Sequence, residues 1–297
     1  MTDNPNVFDF PKPQEPQARL LALSDMPEEE PLKPWYSGFP EWRSKMALAP
    51  GTLSVCTGHP GNGKSTLMGN IWFNTASIND LGVVVATFET RPLPHYRKML
   101  RQFWSGMPQH QMSDQEIAAA DEFIEDHYRF IVHSRQRPNI TEIIELAAQA
   151  GHCQVVVIDP WNRLESQRNK NETETEYIAW CLSELRLFAV QYNCHVQIIA
   201  HPAKRDIRYR DEFPILEDIS GSKHWDNLPD QGFCVHRPAF VDEDGNRRWD
   251  AELHHLKSRF EELGYPCTFD LRLNPKTWRF ETFNKPKKKT KRGDTSV

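Results

Sequence analysis

Residues 58–65 read Gly-His-Pro-Gly-Asn-Gly-Lys-Ser, after a short apolar run (52–57, TLSVCT) and at the start of a helical pattern over 64–78. This match to G-x-x-x-x-G-K-[ST] between a strand and a helix restricts the chain to folds that hold a polyanion at the end of a buried strand. Gly58, Gly61 and Gly63 let backbone N–H groups curl around phosphate oxygens, because no Cβ stands in the way. The following helix turns its positive end toward the same anion. Lys64 supplies a point charge for the outer phosphates, and the Ser65 hydroxyl is a hard oxygen ligand for Mg²⁺. Gly58, Gly61, Asn62, Gly63, Lys64, Ser65 and Thr66 are therefore the expected nucleotide-binding residues, with ATP and Mg²⁺ as the expected ligands.

The rest of the pattern is α/β. Apolar runs at 83–88, 129–133, 154–159 and 195–200 alternate with helical stretches near 92–104, 114–126, 140–150 and 173–191. Strands that are apolar on both sides and separated by helices imply a mostly parallel central sheet flanked by helices. After about residue 230 the runs become shorter and alternating, at 232–236, 248–256, 267–273 and 277–282, which implies a C-terminal β extension. Residues 1–34 are rich in Pro, Glu and Asp and read as an extended arm or linker. Residues 35–282 read as the catalytic domain and 283–297 as a basic tail containing KPKKKTKR. The first residues lack a basic start and an apolar core, so no signal peptide is expected, and no run is long enough to span a membrane. The six cysteines form no C-x-x-C pair, which argues against a zinc ribbon and for buried thiols in a reducing, cytoplasmic setting. A formal net charge of -5 means that any nucleic-acid contact must come from local basic clusters.

Two carboxylates stand where phosphate chemistry needs them. Asp159 ends the run VVVID, a position beside the phosphate loop that suits a Mg²⁺ partner; its alternative is a turn residue before Pro160. Glu89 follows the strand after the first helix and can polarise an attacking water; its alternative is an exposed helix start. His201 follows HVQIIA and can face the outermost phosphate, although a lone histidine is commonly structural.

The ordered series GHPGNGKST (58–66), ATFETRP (86–92), VVVIDPWNRL (155–164), IIAHPAKR (198–205) and GSKHWDNLPDQGFCVHR (221–237) resembles the DnaB-like hexameric replicative helicases. The likeness is to the ATPase half of phage primase-helicases and Twinkle-type helicases. It covers about residues 38–280 and implies a RecA-like P-loop ATPase core. It also implies Glu89 as the base, Asp159 as the Mg²⁺ partner and His201 as a phosphate sensor. A sixth stretch, LHHLKSRFEELG (253–264), is similar to the one that holds this group's trans-acting residues. Lys257 and Arg259 would then reach into the site of an adjacent subunit. Two features depart from the group: there is no zinc module or room for a primase half, and Trp225 and Pro229 interrupt a stretch of usually small residues.

Loops after the central strands of such a ring would line its pore. They carry Arg163, Arg168 and Lys170 in one connection and Lys204, Arg205, Arg208 and Arg210 in the next, with Tyr209 among them; Lys223 and His224 follow. Cations can pair with backbone phosphates while an aromatic ring stacks on a base. The expectation is an ATP-dependent helicase or translocase on single-stranded DNA, acting as a hexameric homo-oligomer in a bacterial or phage-infected cell, with a separate primase as partner. The alternative is a recombinase-like single-strand binder without unwinding.

Overall fold

The computed structural model describes residues 21–26, 28, 31–133, 137–203, 212–241 and 244–283. Most of the expected arm, the basic tail and the four cations Lys204, Arg205, Arg208 and Arg210 lie outside these residues, as does Tyr209.

Among the described residues, nine strands form one sheet in the order β3-β2-β4-β5-β1-β6-β7-β8-β9. The strands β1 (Thr52–Thr57), β2 (Val83–Thr87), β3 (Tyr128–Ile131), β4 (Val155–Asp159), β5 (His195–Ile199) and β6 (Gln231–His236) run parallel. The antiparallel extension is β7 (Asp250–Ser258), β8 (Cys267–Leu273) and β9 (Phe280–Thr282). The expected α/β class and β extension are both present.

Alternation along each strand explains why both faces are covered. In β4, Val155 and Val157 face one apolar cluster while Val156 and Ile158 face the other. Helices α1 (Lys64–Asn79), α2 (Arg97–Ser105) and α3 (Asp114–His127) cover the first face. Helices α4 (Ile140–Gln149) and α5 (Glu174–Gln191) cover the second. Each fully buried valine or isoleucine contributes about 1.5–3 kcal/mol relative to exposure, so the central strands are held from both sides. Five of the six cysteines are buried and all are free thiols.

Several boundaries differ from expectation, two of them near expected site residues. The helix expected from 92 is regular only from Arg97; Pro92–Tyr96 form a π-helical turn, because Pro92 and Pro94 bracket Leu93, whose φ −115 and ψ 133 are extended. The strand expected at 248–256 runs to Ser258 and so includes Lys257. A short helix, α6 (His224–Asn227), was not anticipated. It forms around Trp225, which is buried, donates Nε1 to the Ser220 carbonyl at 3.0 Å and meets Trp161 edge-on. The residue that broke the family pattern is thus a packing residue.

Candidate nucleotide site

Three helices close their N-termini with capping boxes: Ser113 with Glu116, Asn139 with Glu142, and Thr173 with Glu176. Helix α1 does not. Its N-cap is Gly63, with φ 88, and no side chain caps it. The first amides of this helix are left for an outside acceptor, which is what an anion site at a helix N-terminus requires. Gly58, with φ +143, lies so close to β6 that a Cβ there would stand 2.3 Å from the Val235 carbonyl oxygen. Asn62 donates to the same carbonyl at 3.3 Å, which fixes the loop to the sheet.

Lys64 is buried, and its ammonium donates to the Gly58 carbonyl at 2.8 Å and the His59 carbonyl at 3.2 Å. Burial lowers its pKa, opposed by the nearby Cys56, Asp159, Cys234 and Glu89. A desolvated cation satisfied only by its own loop is ready to exchange those carbonyls for phosphate oxygens. Asp159 ends β4 beneath the loop, and burial pushes its carboxyl up to about 6, with the Ser65 hydroxyl bond and Lys64 pulling down. A hydroxyl and a buried carboxylate in contact fit Mg²⁺, which takes hard oxygen ligands and gains the rest from phosphate and water. Among the described residues no group of three or more protein ligands could hold a metal by itself.

Glu89 and His201 reach the same place. Glu89 is about half exposed and accepts from Arg163 Nε at 3.3 Å. The His201 backbone N–H donates to Asn162 Oδ1 at 3.0 Å, and its buried Nδ1 has no hydrogen-bond partner. Burial lowers the His201 pKa, followed by Lys64. A neutral imidazole with a free buried nitrogen can take or give one hydrogen bond to a phosphate oxygen.

Lys64, Ser65, Glu89 and His201 share a cavity of about 340 Å³ with Gly61, Asn62, Gly63 and Thr66. Its far wall comes from the β extension and was not anticipated: Arg237, Arg247, Trp249, Leu273, Trp278 and Phe280. Apart from Arg237, which ends the stretch 221–237, these residues carry no motif, and the pairing of β6 with β7 and of β7 with β8 brings them to the loop.

The other expected residues lie apart. Lys257 pairs with Gly232 and Ser258 with Gln231, while Gln231 pairs with Ser54 of β1. Both cations therefore sit toward the opposite end of the sheet from Gly58, about 10 Å or more along the strands at 3.3 Å per residue. Lys257 donates to the Asp226 and Asn227 carbonyls. Arg259 pairs with buried Asp230 at 3.2 Å, and Asp230 also holds Arg186 and the Leu53 N–H. They cannot serve their own chain's phosphate loop. Arg168 and Lys170 are exposed on the β4–α5 connection and Lys223 is exposed at the start of α6, whereas Arg163 is tied to Glu89.

The AAA domain family model matches residues 38–206, more than half of the chain. The chain belongs to the AAA domain family. The expected likeness to Twinkle-type helicases is found in sequence, and that to DnaB-like helicases in fold. This AAA domain is 32% identical over 203 residues to the Twinkle homolog protein, chloroplastic/mitochondrial, of Arabidopsis thaliana. The match takes in 64% of the chain and spans 28% of that relative's length. The fold is shared with the ATPase domain of G40P, with a TM-score of 0.70, 18% identity, and 85% and 92% of the two chains covered. It is also shared with a DnaB-like replicative helicase whose structure addresses its interactions with primase. There the TM-score is 0.68 at 17% identity, over 85% of this chain and 62% of the other. Among the described residues no helix is long and apolar enough to cross a membrane.

Proposed function

We propose that the chain is an ATP-driven motor that moves along single-stranded DNA as a ring of identical copies and separates strands. The observation that carries the reading is the uncapped N-terminus of α1 above Lys64, with the Ser65–Asp159 pair below it. Bound Mg²⁺ would neutralise phosphate charge between Ser65 and Asp159. Lys64 exchanges its loop carbonyls for phosphate oxygens. Glu89 orients a water and accepts its proton. His201 offers its free nitrogen to the outermost phosphate, and the bond is lost when that phosphate leaves.

The position of Lys257 and Arg259, away from their own loop, supports a role on a neighbouring copy, where a guanidinium neutralises charge on the transferring group. Arg168, Lys170 and Lys223, with Lys204, Arg205, Arg208 and Arg210, are the proposed strand contacts, through phosphates and without sequence preference. A separate primase is a proposed partner. A bacterial or phage setting gains no support from the plant relative, whose name places it in chloroplast and mitochondrion.

The test measures ATP turnover with and without single-stranded DNA, unwinding of a forked duplex, and light scattering with ATP and Mg²⁺. A closed ring with DNA-stimulated turnover and unwinding supports the reading. An open polymer with stimulated turnover and intact forks supports a recombinase-like filament instead.

A further inference from the structure

The phosphate loop accounts for one end of the cavity of about 340 Å³, and the other end is walled by side chains that phosphates do not need. Most of that wall is already occupied in packing. Phe280 is buried and lies 3.4 Å from where a Cβ on Gly63 would stand, so it is wedged beneath the loop. The Arg247 guanidinium lies 4.2 Å from the centre of the Trp249 ring. Leu273 is buried at the end of β8.

Trp278 is different. It is 42% exposed, and no ring or guanidinium among the described residues stacks on its indole. It sits in the β8–β9 turn, held by its own N–H to the Asn274 carbonyl and by Asn274 N–H to the Arg279 carbonyl, both at 2.8 Å. Its φ is 59, a left-handed conformation that suits glycine and disfavours a bulky side chain. Trp278 therefore places a bulky, non-glycine residue in a left-handed turn position and leaves its ring partly in water. Such breaches concentrate where a ligand is met.

We propose that Trp278 is the platform on which the base of the bound nucleotide stacks, making it the base-recognition residue of the phosphate site. The proposal rests on the nucleotide reading given above. An uncovered indole face attracts a heterocycle by π-stacking and desolvation. Overlap grows with ring area, so a purine gains more than a pyrimidine.

The test is calorimetry on the full chain with Mg²⁺, using a non-hydrolysable ATP analogue, its cytidine counterpart and inorganic tripolyphosphate. Trp278→Gly gives the turn the residue it favours, so the fold is kept, and Trp278→Phe keeps a smaller platform. We expect Trp278→Gly to weaken the ATP analogue about tenfold, the cytidine analogue less, and tripolyphosphate not at all. Trp278→Phe should retain most of the affinity. Equal weakening of ATP analogue and tripolyphosphate, or an ATP affinity in Trp278→Gly within about twofold of the unaltered chain, overturns the proposal. If the unaltered chain binds neither triphosphate, the nucleotide reading itself has failed, and this outcome is separate from the other two.

Discussion

The Arg163 guanidinium lies 3.3 Å from the Glu89 carboxylate and so ties the connection after β4 to the group proposed to activate water. Both side chains are about half exposed, so the pair contributes little to stability. Its consequence is orientation: the carboxylate proposed to meet water is held by a residue on a loop facing the proposed strand path.

Replacing Arg163 with alanine should therefore release Glu89. Turnover in the absence of DNA should rise several-fold, and the melting temperature should shift by less than the equivalent of about 1 kcal/mol. A steady-state ATPase assay with a thermal melt decides this. Unchanged basal turnover would show that the ion pair does not restrain the base. Glu89→Gln should lower turnover by roughly 10²- to 10⁴-fold while nucleotide binding persists.

Lys64 and Arg259 lie toward opposite ends of the sheet, which permits a complementation experiment. Lys64→Ala should lose turnover because its charge is the loop's own. Arg259→Ala should lose turnover while still binding nucleotide. Mixed in equal amounts, the two inactive chains should regain activity, because an intact loop on one copy can meet an intact arginine on the next. If the mixture stays as inactive as either parent, donation between copies is refuted.

Asp159 gives a pH signature. Its carboxyl is raised by burial to about 6 from the ordinary 3.8. With the folded value above the unfolded one, its stabilising contribution is complete below pH 3.8 and is lost as pH rises through about 6. In the absence of metal, Asp159→Asn should thus gain stability relative to the unaltered chain at pH 8, on the order of 2–3 kcal/mol, and gain little at pH 4. Metal-dependent nucleotide affinity should run the other way, strengthening as pH rises through this range and becoming insensitive in Asp159→Asn. Urea denaturation in chelator and calorimetry at several pH values provide the two measurements.

Gly58→Ala tests the loop's seating. The added Cβ would meet the Val235 carbonyl oxygen at 2.3 Å in a backbone conformation that L residues rarely adopt. The expected cost is roughly 1–3 kcal/mol of stability together with loss of nucleotide binding. A folded variant with unaltered melting temperature and affinity would contradict the close approach.

Much of the architecture could be read from local pattern. VVVID declares a strand buried on both sides because four of its five residues are apolar, and the expected spans at 52–57 and 267–273 match the strands found. The regular part of α2 starts later than the pattern predicts because Pro92 and Pro94 hold Leu93 extended inside a π-helical turn. The short α6 has no local signal, because Trp225 is buried against Trp161, a contact between residues 64 positions apart.

The amino-acid order alone determined the phosphate cradle, since its glycines, Lys64 and Ser65 are contiguous and their chemistry depends on neighbours along the chain. It also placed Asp159 and Glu89 at strand ends, because strand length follows from local apolarity. The folded structure decided what could not be local. It brought Trp278, Arg237 and Trp249 to the far side of the cavity, turned Arg163 toward Glu89 and set Arg259 against Asp230 beyond reach of its own loop. Those relationships depend on which strands pair across the sheet. That pairing is fixed by burial of the whole core rather than by any one segment.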